Sequence, residues 1–148
     1  MSEWKSVCVV LVDDDPDEHF LFRADLEDAG VRFEFEAFTR PEDALEHLAA
    51  APRNPILVFT DLSLAGGDAL DFIGAVQPYL SGGAVGVYSG ARNPEMEMKC
   101  RKAGSGFYMV KPVTRTAFEK TVSGIGTMQL VEDGDTVLRL VISDSEAA

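Results

Sequence analysis

Four stretches of this chain place a polar residue with chemical potential directly behind a short apolar run. Asp13, Asp14 and Asp15 follow Val7-Cys8-Val9-Val10-Leu11-Val12, and Asp61 follows Ile56-Leu57-Val58-Phe59 after a single threonine. Ser89 follows the run at residues 85–88, and Lys111, with Pro112 behind it, follows the run at residues 107–110. Clustered carboxylates repel one another strongly, and the usual resolutions are raised pKa values or a bound cation. Mg²⁺ suits this set best, because it prefers hard oxygen ligands, keeps several waters and takes one or two carboxylates plus a phosphate oxygen. Each residue also has a plainer reading. Asp15 before Pro16 fits a helix cap better than a metal ligand. Ser89 could cap a turn, and an isolated lysine is usually a solvated surface charge. Capping alone, however, does not require acids, hydroxyl and lysine to fall in this order behind successive apolar runs.

The elements that must carry these residues follow from periodicity. Residues 7–12 form a β-branched apolar run, the pattern of a strand buried on both faces, as in a parallel sheet. Pro16 suits a first helical turn, Phe20, Phe22, Ala24 and Leu26 supply an apolar stripe, and Gly30 offers a stop. Residues 31–37 alternate with period two and predict an edge strand. Thr39 and Glu42 have capping-box spacing around Pro41, ahead of a helix carrying Ala44, Leu45 and Leu48. A third strand at residues 56–59 lies between the Pro52/Pro55 loop and a Gly66-Gly67 turn, before a helix that Asp68 could cap. Asn93-Pro94 opens a fourth helix after the fourth strand, and Ala103-Gly104 closes it. A last helix beginning around Thr114 to Thr116 packs Phe118, Val122 and Ile125. Five strands alternating with five helices predict an α/β fold with a doubly wound, five-stranded parallel sheet, whose ligand site lies outside the carboxyl ends of the strands. Beyond it, two short apolar runs around Asp133-Gly134 predict a C-terminal β-hairpin, with a frayed end from Ser143 to Ala148.

Composition narrows the function classes. With 25 acidic and 13 basic residues, a net charge of −12 and a pI near 4.4, the 148-residue chain has no electrostatic footprint for a nucleic-acid backbone or an anionic membrane. No apolar run approaches the ~18 residues of a membrane span, so a cytoplasmic protein is expected. Cys8 and Cys100 have neither the number nor the spacing of a disulfide or zinc framework and read as packing residues.

At this point the chain resembles the receiver domain of two-component response regulators. The resemblance rests on Val12-Asp13-Asp14-Asp15-Pro16, on Phe59-Thr60-Asp61-Leu62, on Tyr88-Ser89-Gly90 and on Phe107-Tyr108-Met109-Val110-Lys111-Pro112. It implies a CheY-like, flavodoxin-like sheet of strand order 2-1-3-4-5, with a receiver at residues 5–124 and an extension at residues 125–148. It implies that Asp61 is the phosphoacceptor and that Mg²⁺ is held by Asp14, Asp61 and the backbone carbonyl of Ser63, with Asp13 acting through a water. Lys111 would meet the phosphoryl group as a point charge, and Ser89 would donate to a phosphate oxygen beside the small Gly90. Ser89 and Tyr108 would be the switch pair, the ring following the hydroxyl inward on phosphorylation. The sequence departs from the common pattern at Ala65, where many receivers have proline, and at Ser63, which is small.

The expectation is therefore a free-standing receiver that takes a phosphoryl group from a histidine kinase or phosphotransfer protein in a Mg²⁺-dependent reaction and signals through an unidentified downstream protein. It would not be an enzyme beyond its own phosphorylation and autodephosphorylation, and a homodimer stays open. Two other readings stand beside it. One is a Mg²⁺-dependent phosphatase acting through a covalent aspartyl phosphate, disfavoured because Ser63 stands where a second acid is needed. The other is a phosphate sink or degenerate receiver that only binds.

Overall fold

The structure is a computed structural model that describes residues 4–50, 56–64, 69–134 and 137–143. The Pro52/Pro55 loop, Ala65, the Gly66-Gly67 turn, the expected cap Asp68 and the tail after Ser143 lie outside the described residues. Five strands, β2 (Cys8–Val12), β4 (Glu34–Phe38), β5 (Ile56–Thr60), β6 (Ala84–Ser89) and β7 (Tyr108–Val110), form a sheet of order β4-β2-β5-β6-β7. All its pairings are parallel. Counted among themselves, the strands run 2-1-3-4-5, as expected. Five helices connect and follow them: α1 (Pro16–Asp28), α2 (Pro41–Ala50), α3 (Ala69–Val76), α4 (Pro94–Ala103) and α5 (Arg115–Gly124).

The alternation of side chains along β2 divides the core. Val9 and Leu11 face a cluster built with Phe22 and Leu26 of α1 and Phe118 and Val122 of α5. Val10 and Val12 face a second cluster with Ala44 and Leu48 of α2, Phe72, Ile73 and Val76 of α3 and Cys100 of α4. Every residue of β5 is buried, which is why a central strand of a sheet covered on both faces reads as an unbroken apolar run. The helix starts are set by side-chain caps. Asp15 accepts from Asp17 N, Asn93 from Met96 N and Thr114 from Ala117 N. Gly104, at φ 120°, ends α4.

Two expectations are corrected. Phe20 does not join the α1 stripe and is 74% exposed, whereas Phe22 and Leu26 are buried. At 100° per residue, Phe20 lies nearly opposite Phe22, while Leu26 lies one turn above it. The strand expected over residues 31–37 breaks at Phe33 into β3 (Val31–Arg32) and β4. The break lets β3 join a second sheet.

That second sheet is organised by the C-terminal hairpin, β8 (Met128–Glu132) and β9 (Leu138–Ser143), whose turn includes Gly134 at φ 96°. Along its other edge, β9 pairs in parallel with β3 and antiparallel with β1 (Trp4–Ser6). Val7 is the pivot between the two sheets: its N–H donates to Leu140 O at 3.1 Å before the chain enters β2. Met128 and Leu140 are buried within the α1/α5 cluster, so the hairpin shares the core of the main sheet.

Candidate functional site

The expected site residues lie at the carboxyl ends of β2, β5, β6 and β7, and backbone hydrogen bonds carry the sheet one residue past its strands to hold them. Asp13 N donates to Phe38 O (3.0 Å), Asp61 N to Val12 O (3.0 Å) and Lys111 N to Ser89 O (2.8 Å). Asp13, Asp14 and Asp61 come together: each offers a carboxylate oxygen, and these atoms lie within 4.8 Å of one another. Among the described residues, this is the one such group of three or more potential metal ligands.

The three acids are not equivalent. Asp13 is 1% exposed and both its carboxylate oxygens are engaged, one accepting from Asp15 N (3.0 Å) and the other from Lys111 Nζ (3.1 Å). Its main-chain carbonyl lies 2.6 Å from His19 Nε2. Asp14 is exposed, and Asp61 is half-buried, with one oxygen accepting from Leu62 N at 2.9 Å. Burial pushes the Asp61 carboxyl above the ordinary range; Lys111 opposes this, and the charge of Asp13 adds to it. For Lys111 burial acts downward, but the hydrogen bond to Asp13 and the charges of Asp61, Asp13 and Glu18 outweigh it, so its ammonium is held above the usual lysine value. The donor set fits Mg²⁺: hard carboxylate oxygens, one buried, one exposed and one between, at an edge open to water.

Lys111 is the hub. Its Nζ lies 3.1 Å from Asp13, 3.5 Å from Glu18 and 4.0 Å from Asp61, and 5.4 Å from the centroid of the Tyr88 ring. Glu18 and Tyr88 are absent from the sequence-derived set. Glu18 carried only the signal of an acid in a first helical turn, and Tyr88 was one more apolar residue in a strand run. Tyr88 is 2% exposed, its hydroxyl accepts from Val113 N (3.0 Å), and its ring meets Phe22 and Phe59 edge-on. Burial pushes its phenol up to about 12.

Ser89 ends β6 half-buried, and Ser63 is exposed two residues past Asp61. A Cβ at Gly90 would meet nothing within 4 Å, so the space beside Ser89 does not depend on glycine there. Tyr108 is half-buried against the α3/α4 cluster. Its hydroxyl donates to Ala91 O (2.7 Å) in the loop before α4, and the Arg92 guanidinium stands 5.5 Å from its ring centroid.

A doubly wound sheet carrying an acid triad and a lysine at its carboxyl edge is the architecture of a CheY-like receiver. The family model of the response regulator receiver domain matches residues 9–123, and the chain belongs to that family. Similar solved structures include the bacteriophytochrome response regulator AtBRR, at 22% identity and TM-score 0.73, over 87% of this chain and 99% of that one. The chemotaxis response regulator CheY4 of Vibrio cholerae matches at 21% identity and TM-score 0.65, over 82% and 99%. A receiver domain from Rhodospirillum rubrum matches at 24% identity and TM-score 0.65, over 81% and 89%. No curated protein sequence matches the chain. Among the described residues, no helix is long and apolar enough to cross a membrane.

Proposed function

We propose that the chain is a phosphoacceptor of a two-component or phosphorelay system, phosphorylated on Asp61 by a histidine kinase or phosphotransfer protein. The observation that carries this is the placement of Lys111 Nζ between buried Asp13 and half-buried Asp61, beside exposed Asp14. Of the two acids that reach Lys111 from strand ends, Asp61 is the one with room to react. One Asp13 oxygen is committed to Asp15 N and the other to Lys111, whereas Asp61 is held by the backbone N–H groups of Leu62 and Ser63 and stands 4.0 Å from Lys111 Nζ. In the transfer, a carboxylate oxygen of Asp61 forms a bond to phosphorus while the donor's P–N bond breaks, and the imidazole leaves with the electron pair and takes up a proton. Because charge is spread over the equatorial oxygens, the protein's task is positioning and electrostatic stabilisation. Lys111 supplies the cation on the protein side.

Asp14, Asp61 and the Ser63 carbonyl would hold Mg²⁺, with Asp13 one water away, and the ion would neutralise charge on the transferring group. The engagement of both Asp13 oxygens supports its indirect role. Ser89 donates to a phosphate oxygen, and the Tyr108 ring, tethered at rest to Ala91 O, changes place as the loop before α4 closes on the phosphoryl group. Output is a protein contact through the face of α4, β7 and α5, with no turnover of a foreign substrate.

The test is incubation with acetyl phosphate and Mg²⁺. One acid-stable, base-labile phosphoryl adduct is expected in the wild type and none in Asp61→Asn. Labelling that persists in the variant would overturn the assignment. An unchanged Tyr108 environment in the presence of beryllofluoride would overturn the switch.

A further inference from the structure

The ammonium of Lys111 carries one more acid than a phosphoacceptor requires. Asp13 and Asp61 reach it from strand ends of the sheet, whereas Glu18 reaches it from the first turn of α1. The position of Glu18 is imposed by the helix start. Asp15 caps α1 through Asp17 N, and Glu18 N donates to Asp15 O at 3.0 Å, so residue 18 emerges beside the acid cluster. Its side chain is 30% exposed and that of Lys111 18%, so the pair is only partly screened by water. The ammonium stands nearer to Glu18, at 3.5 Å, than to Asp61, at 4.0 Å.

This arrangement bears on the transfer reaction. A phosphoryl group on Asp61 raises the negative charge there from one to two, at a site whose nearest protein cation is already shared with Glu18. Either Nζ moves from Glu18 toward the phosphoryl oxygens, or the new anion and Glu18 share one cation at mutual repulsion. Both cost free energy that a neutral residue 18 would not impose.

Resting on the phosphoacceptor reading, we propose that Glu18 is a positioning residue that holds the Lys111 ammonium toward α1, competes with a phosphoryl group on Asp61 for it, and so restrains phosphorylation. Glu18 touches no reacting atom and acts through the lysine. The competing explanation is that Glu18 merely favours the α1 N-terminus as a first-turn acid. That role changes stability but leaves the partition of Lys111 between α1 and Asp61 untouched.

Glu18→Gln removes the charge at nearly constant shape, and Glu18→Asp keeps it. At saturating Mg²⁺ with acetyl phosphate, Glu18→Gln should raise the initial rate of Asp61 labelling by roughly 1.5- to fivefold, the scale of a partly exposed ion pair. Glu18→Asp should stay closer to wild type. In metal-free protein, the ¹⁵Nζ resonance of Lys111 should move in Glu18→Gln and much less in Glu18→Asp, and urea unfolding separates any loss of helix stability from both readouts. Wild-type labelling on Asp61 with an unchanged or lower rate in Glu18→Gln would overturn the proposal while leaving the acceptor assignment standing. If Asp61 is not labelled, the acceptor reading itself fails, and an unmoved Lys111 resonance then overturns the positioning role independently.

Discussion

Tyr88→Phe removes one atom and tests how the lysine loop is held. The hydroxyl accepts the Val113 N–H at 3.0 Å in a setting where Tyr88 is 2% exposed and Val113 3%. The phenylalanine ring keeps the edge-on contacts to Phe22 and Phe59 at centroid distances of 5.0 and 6.0 Å, so no side-chain cavity opens. What remains is a buried N–H without an acceptor, a loss of about 1–3 kcal/mol. For a chain of this length, the midpoint of that range lowers the melting temperature by about 4–8 °C. The assay is urea unfolding of both proteins in EDTA: the midpoint should fall with the slope unchanged, and amide exchange at Val113 should accelerate more than at Val10. Lys111 sits two residues before Val113 and 5.4 Å from this ring centroid, so loosening the loop should also slow labelling of Asp61. A Tyr88→Phe protein within about 0.5 kcal/mol of wild type, the range of ordinary surface changes, would show that the hydroxyl does not anchor the loop.

Three further outcomes are expected. Because burial holds the folded Asp61 pKa above its unfolded value, the folded state binds more protons through that window, and this group's contribution falls as pH rises through it. In the absence of metal, Asp61→Asn should therefore be more stable than wild type at pH 7, and the difference should vanish below the ordinary carboxylate pKa of about 3.9; a variant equally or less stable at pH 7 would contradict the burial argument. Leu140→Ala, at a fully buried position of the hairpin, should cost about 2–5 kcal/mol in a single transition, and two separate transitions would mean that the hairpin folds apart from the main sheet. Gly83→Ala puts a methyl carbon 1.7 Å from the Ile56 carbonyl oxygen, a backbone atom at the start of β5 that cannot turn aside. The loss should exceed about 4 kcal/mol, measured by urea unfolding or seen as failure to fold, and near-wild-type stability would refute that packing.

Much of the architecture was legible because its signals are local. Strands buried on both faces declare themselves as apolar runs, and Asp15 and Asn93 cap the helices that their types and following residues predicted, while Thr114 caps the last helix, whose start was expected around residues 114–116. The order of acids, hydroxyl and lysine behind those runs pointed to one crevice, since every strand of a parallel sheet ends on the same side. Phe20 misled because an apolar type carries no direction until the helix is docked: Phe22 and Leu26 took the core face and turned Phe20 outward. The split at Phe33 was hidden for a related reason. Its alternation is that of a strand, but the partner that draws β3 away, β9, lies over a hundred residues later.

The sequence by itself determined which residues offer hard oxygens, a hydroxyl and an ammonium behind the apolar runs, because that chemistry belongs to the residue type. Only the tertiary structure decided how they are arranged. It buried Asp13 and committed both its oxygens, left Asp61 half-open with a raised pKa, and put Glu18 and the Tyr88 ring around Lys111. These are consequences of distance and dielectric across elements far apart in the chain, and no spacing along a sequence encodes them.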